Sequence, residues 1–580
     1  MKKKLTILII MLCFAAAAFM LTACENQPRR IQFNQLTGAT YIVTYSTITI
    51  TSVGGTQASV VEYSLNGNTW QTEPLFTGST SNTQYSVHMR QQEDTYHYAS
   101  ESFIKNITTL RMEQTMPNVN HIQSNRTIIL VGVTDAMEVA FDGVNFESNQ
   151  TSHTFTTNGN RTIRVRYAQT ERAYASAAQE IAVVISNFYG GQGTADNPFQ
   201  VSTFEQLQAM TGSFYFKLVD DIQFPDELQG MLNPGQARQL DGNGFSFLNP
   251  RINASALFAG IFATFNGSII NLTVYDAKIN LTFDSVGQIF IGILVGNLTN
   301  GNIVNTHVCG VISAELTLGA DSAMAITAIG GLTGRMSGTA GFTGNSIINS
   351  SADVEINFVS INEGRGRLAA GGLSGRGQIL TVENSYANIS IDARGMRLAI
   401  VGGLVGGEEL AQGMSTPIYV RNSFATGEIV LVGAGNRIED VLMASGVVGR
   451  TMGIVENAYS TVDISISGTN QSIVAGGISG LALRVDDPII RNTFFAGSIA
   501  TILQNDITGY ILWRSSIVNH PPRPGSVANS FHIDSLIDVD ETRSTAVTEN
   551  DLQSTSWQRA NLDFCEDIWL LQDGEFPGLR

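Results

Sequence analysis

Apolar residues in this chain come in short runs that alternate with polar ones. In Ile389-Ser-Ile391, Glu428-Ile-Val-Leu-Val432 and Val462-Asp-Ile-Ser-Ile466 the apolar positions are mostly β-branched and recur at period two, the mark of half-buried strands. Residues 41–51, 84–90 and 161–166 alternate in the same way. Glycines fall at fixed points between runs, where a tight corner needs positive φ or no side chain. The pattern predicts a chain built of short strands.

Between residues 292 and 531 the punctuation becomes a phrase. It reads Gly330-Gly-Leu-Thr-Gly334, Gly371-Gly-Leu-Ser-Gly375, Gly402-Gly-Leu-Val-Gly406 and Gly476-Gly-Ile-Ser-Gly480, with looser copies at Gly292-Ile-Leu-Val-Gly296 and Ser445-Gly-Val-Val-Gly449. A second phrase sets an asparagine just after an apolar residue and before a small or aromatic one: Asn271, Asn305, Asn349, Asn384, Asn422, Asn457, Asn492 and Asn529. Their spacings of 34, 44, 35, 38, 35, 35 and 37 lie in the range of stacked repeats. Three short strands per repeat, with corners between, describe one coil of a parallel β-helix. Such a coil buries its inner face only by stacking on neighbours. Each asparagine amide would then donate to one coil and accept from the next, as a structural ladder.

With both phrases in view, residues 190–580 resemble the GLUG-motif proteins of bacterial cell surfaces. The resemblance implies a right-handed parallel β-helix on an exported protein, often one concerned with attachment, and brings no catalytic motif. The expected fold class is all-β: two small β-sandwich modules, then the β-helix with a cap at each end. The expected organisation is a leader (1–23), a tether (24–30), module 1 (31–112), module 2 (113–186), an N-terminal cap (187–250), the repeat helix (251–545) and a C-terminal cap (546–580).

The leader has Lys2-Lys-Lys4, an apolar stretch over 5–20, and Leu21-Thr-Ala-Cys24, which looks like the lipobox of bacterial lipoproteins. That likeness implies cleavage before Cys24 and acylation on it, anchoring the chain to the membrane and facing it outward. Two or three acyl chains hold where one would be marginal. Residues 31–186 contain a duplication at a spacing of 76: Asn66-Gly67 matches Asp142-Gly143, Trp70 matches Phe146, Arg90 matches Arg166, and Tyr98-Ala-Ser100 matches Tyr174-Ala-Ser176. Asn-Gly and Asp-Gly predict tight hairpins with positive φ at both turn residues, and the repeated aromatics are expected in the core. The modules resemble immunoglobulin-like or fibronectin-III-like surface domains, and a stalk role follows. Ser202-Thr-Phe-Glu205 has capping-box spacing and predicts a helix over 203–210. Trp557, Phe564, Trp569 and Phe576 predict a plug on the last coil.

Composition narrows the function. Charged residues are 14% and hydrophobic ones 43%, which argues against disorder. A net charge of −17 argues against nucleic acid. Past Cys24 only Cys309 and Cys565 remain; they would pair only if the C-terminal segment folded back. No cofactor and no metal site is expected. A hydrolase would need paired carboxylates and a lyase a base with calcium-binding acids. Asp220-Asp221 reads as turn chemistry, while Glu408-Glu409, Glu439-Asp440 and Asp486-Asp487 read as solvated insertions. Arg365, Arg367, Arg376, Arg394 and Arg397 form a basic cluster that would meet an anionic glycan or merely face solvent. The preferred function is a non-catalytic, adhesive surface for an extracellular glycan or protein. A β-helical polysaccharide lyase or hydrolase and a structural spacer are the alternatives.

Overall fold

The computed structural model describes residues 29–57, 59–124, 126–157, 159–229, 231–284, 287–317, 326–338, 344–361, 366–408, 416–435, 440–469, 472–482, 490–503, 511–518, 527–533 and 544–580. These residues are nearly all β, with large parallel sheets. They divide into two compact units between Ile185 and Ser186, with Ser124–Arg126 grouped with the second.

The first unit is mainly antiparallel, with one short parallel pair, Ile31–Gln32 with His97–Tyr98. Gly38–Val43, Thr47–Gly54 and Leu75–Thr77 form one sheet, and Val61–Ser64, Gln84–Gln91 and Phe103–Thr108 another. Alternate residues of both, Ile48, Ile50, Phe76, Val87, Met89 and Ile107, share one core. The duplicated stretch repeats this, with Ile128, Val139, Ile163, Val165 and Val183 buried together. Two expectations change here. Asn66 and Asp142 do not enter two-residue hairpins; only Gly67 (φ 72°) and Gly143 (φ 77°) have positive φ. The Asn66 side-chain oxygen accepts from the Asn68 and Thr69 amides at 2.9 and 2.8 Å, and Asp142 accepts from Val144 and Asn145 at 2.8 and 2.7 Å. A side-chain acceptor thus builds a wider loop. Trp70 and Phe146 are half-buried and outside the cores. The Arg90 guanidinium lies 4.1 Å from the Trp70 ring centre and that of Arg166 3.8 Å from Phe146. Each arginine also bonds a carboxylate, Glu62 or Glu138, so a cation covers each ring where further core was expected.

In the second unit parallel pairing begins at Phe199–Val201, which pairs with Tyr215–Leu218, then Gln239–Asp241, then Ser268–Ile270. Among the described residues one sheet runs through 29 strands and another through seven. Each strand pairs with its counterpart one repeat later, so like residues align. Ile279, Ile312, Ile356, Ile391, Ile429, Ile464 and Ile499 form one buried file. β-branched side chains suit such a pleated, stacked interior. At the glycine phrase the backbones nearly touch: a Cβ on Gly331 would sit 2.2 Å from the Gly372 carbonyl oxygen, and one on Gly403 2.0 Å from that of Gly446. Neither glycine has positive φ; close approach, rather than handedness, requires them.

Both ends depart from expectation in detail. The first helix is Phe204–Gln208, and Thr203, not Ser202, is its N-cap. The Gln206 side chain turns back to accept from the Ser202 amide at 2.8 Å, shifting the cap by one residue because glutamine serves at the third position. The C-terminal segment covers the last repeat and also reaches past it: Thr545–Val547 pairs with Phe531–Ile533, and Trp557 meets Phe531 edge-on. It lies along the flank of several: Trp569, fully buried, packs against Phe424, Tyr459 and Phe564, and the Tyr459 hydroxyl donates to the Pro577 carbonyl at 2.6 Å.

Candidate functional site

Turns carrying the recurrent asparagine stack in register. All eight have φ between 46° and 53°, a left-handed conformation that asparagine tolerates better than most residues. Asn271 donates to Asp241 at 3.0 Å. Asn305 donates to Asn271 at 3.0 Å, Asn349 to Asn305 and Asn384 to Asn349 at 3.1 Å each. Asn422 follows at 3.1 Å, Asn457 at 3.2 Å, Asn492 at 3.1 Å and Asn529 at 2.7 Å. One residue on, hydroxyls form an inner line: Thr306 donates its amide to the Ser350 hydroxyl, Ser350 to Ser385, and Ser385 to Ser423, at 3.1 to 3.2 Å. Two residues on, the rings of Tyr386, Phe424, Tyr459 and Phe494 stack 4.6 to 5.0 Å apart and 4° from parallel.

A cleft of about 420 Å³ opens where the C-terminal segment meets this flank, lined by Asn305, Asn349, Asn384 and Tyr386 on one side and Asp567 and Arg580 on the other. The segment has therefore folded back, yet Cys309 and Cys565 both keep free thiols.

Among the described residues, the acids singled out from the sequence serve the fold. Asp220 accepts from the Asp221 amide at 2.9 Å, and Asp221 from the Ser246 amide at 2.7 Å. Glu408 and Asp440 are not solvated: both are buried. Arg450 Nε lies 3.4 Å from Glu408, and Arg397 Nε 2.6 Å from Asp440. Stacking explains the correction: Glu408 ends a strand whose Gly407 pairs with Arg450 one repeat later, so acid and arginine meet where the repeats exclude water. Burial raises the Glu408 carboxyl above the usual range, with Arg450 opposing. Cys24, Arg365, Glu409, Glu439, Asp486 and Asp487 lie outside the described residues.

The basic residues separate into two sets. Arg394 is committed to Asp392 through bonds of 2.8 and 2.7 Å, and Arg397 to Asp440. On the seven-stranded sheet, register aligns Asn297, Arg335, Arg376, Gly407 and Arg450. Arg335 and Arg450 escaped the sequence reading, although the signal was there: each stands five residues after the first residue of the glycine phrase, as Arg376 does. Among the described residues no three His, Cys, Asp or Glu side chains cluster to hold a metal ion, and no helix is long and apolar enough to cross a membrane.

Comparison with known proteins gives little. No family model matches the chain. Halomucin of Haloquadratum walsbyi is 33% identical over 107 residues, a stretch that is 16% of this chain and 1% of that protein. Among solved structures, an IgA1 protease chain aligns with a TM-score of 0.31 at 15% identity, over 84% of this chain and 29% of that one. The first match is too short, and the second too distant in shape, to carry a function across.

Proposed function

We propose that this chain is a lipid-anchored bacterial cell-surface protein whose repeat region, a parallel β-helix of the GLUG-motif kind, binds an extracellular glycan or protein without catalysing a reaction. The immunoglobulin-like sandwiches before it would serve as spacer modules. Support for the fold comes from the repeat-to-repeat parallel register, and support for the anchor from the Leu21-Thr-Ala-Cys24 leader. One observation carries the binding reading. In an acidic protein, arginines gather in register on one sheet face, while the described members of the acidic pairs are occupied by turns and buried ion pairs.

The test takes the soluble chain from Glu25 onward against a panel of polysaccharides and matrix proteins, scoring retention and released product together. Saturable retention without product is expected. Product release that scales with protein and survives repurification would overturn the reading in favour of an enzyme, and silence throughout would favour a spacer. For the anchor, Cys24→Ser is expected to abolish palmitate labelling and to move the chain from the detergent phase to the aqueous phase.

A further inference from the structure

Beside the arginine file lies a cavity of about 220 Å³, lined by Arg367, Arg376 and Arg450 and by the apolar side chains of Ile326, Leu398 and Ile400. Its three cations are not equivalent. Arg450 is matched by the buried carboxylate of Glu408. Arg367 stands in register between Ile326 and Leu398, so neither neighbour along the file is an acid. Its Nε is buried with no hydrogen-bond partner. A buried guanidinium nitrogen left in that state is costly, and a ligand oxyanion would remove the cost.

Gly407 stands next to two residues of the lining, Ile400 and Arg450. It occupies the place in the file between Arg376 and Arg450. A Cβ there would meet the Ile400 Cγ2 at 3.4 Å and the Arg450 Cβ at 3.7 Å, which is ordinary contact, and its φ is not positive. Neither crowding nor backbone geometry calls for glycine at this point. What its missing side chain does is leave space bounded by two cavity residues.

We propose that this cavity is a subsite for a compact organic carboxylate with one apolar face, the chemistry of an acidic sugar residue. Arg367 takes the carboxylate, beside Arg376 and in the planar geometry that guanidinium favours. Ile326, Leu398 and Ile400 receive the apolar face. The inference rests on the binding reading above and names its ligand class.

Titration calorimetry on the detergent-solubilised full chain tests it, using glucuronate, a glucuronate-terminated oligosaccharide, the matching glucose-terminated one, and inorganic sulfate. The two acidic sugars should bind and glucose should not. Arg367→Gln should weaken binding about ten- to a hundredfold, the range for losing a charge-assisted hydrogen bond. Gly407→Leu, which sets a bulky side chain against Ile400 and Arg450 of the lining and replaces no arginine, should abolish it. Free glucuronate binding as tightly as the oligosaccharide identifies a soluble acid as the ligand; tighter oligosaccharide binding identifies a glycan end. Equal binding of the glucose form, sulfate binding as tightly as glucuronate, or full binding by the folded Gly407→Leu variant would overturn the subsite. Any of these would leave the wider reading intact if the surface panel still shows retention. Loss of all retention on that panel would instead remove the wider reading.

Discussion

The residues two places beyond the ladder asparagines divide into two sets. In the last five repeats they are Tyr386, Phe424, Tyr459, Phe494 and Phe531; in the three before, they are Thr273, His307 and Ser351. All eight belong to one parallel register and follow the same left-handed asparagine turn. What differs is the cover. Trp569, Phe564 and Phe576 pack on the aromatic set, whereas His307 uses a ring nitrogen to bond the Ser351 hydroxyl at 2.8 Å. The coil tolerates either side chain at this position, so the identity there reports where the chain returns to cover the flank. The cleft lined by Asn305, Asn349 and Asp567 marks the boundary.

Breaking the cover should separate the two sets most strongly. Trp569→Ala empties a fully buried site and is expected to cost about 3–5 kcal/mol. Hydrogen exchange should rise at the amides around Phe424 to Phe494 and stay unchanged at those around Thr273 to Ser351. Ladder variants come next. Asn457→Ala loses two amide bonds and places alanine at φ 51°, for about 2–3 kcal/mol in chemical denaturation. Asn457→Gly should recover about 1 kcal/mol of that by relieving the backbone. Asn305→Ala, in the more exposed set, should cost less.

The hydroxyl of Tyr459 sharpens the contrast through pH. Burial pushes its pKa well above the ordinary tyrosine value. The unfolded chain therefore ionises first as pH rises, and stability should fall above about pH 10. Tyr459→Phe should remove that slope, while losing about 1 kcal/mol at neutral pH with the bond to Pro577. Smallest of all, His307→Phe puts a ring in the uncovered set. Stability should stay within about 0.5 kcal/mol, while binding of a dye for exposed apolar surface increases.

The nearly all-β, parallel character was legible because alternation and repeat spacing are local properties of the sequence. So was the place of each turn, since asparagine and glycine are constrained by their own backbones. The asparagine ladder followed from the repeat, but charge pairs made across repeats did not. Arg450 and Glu408 lie 42 residues apart in the sequence and meet only through register, and Glu408 looked like a solvated loop acid until stacking buried it. The C-terminal tryptophans showed that the end had to be covered, but not that the cover would extend along the flank. The aromatic residues after Asn384 to Asn529 held that answer, because a plug on the last repeat would need only one of them.

The fold-back also fixes an order of events. Rings from Tyr386 to Phe531 precede in sequence the segment that hides them, so a ribosome releases the stripe before its cover exists. During that interval the chain offers a ready-made contact for a second copy of itself or for a chaperone. A chain halted before residue 544 would keep that adhesive stripe permanently. Synthesis of the segment that carries Phe564, Trp569 and Phe576 is thus the step that makes this flank inert.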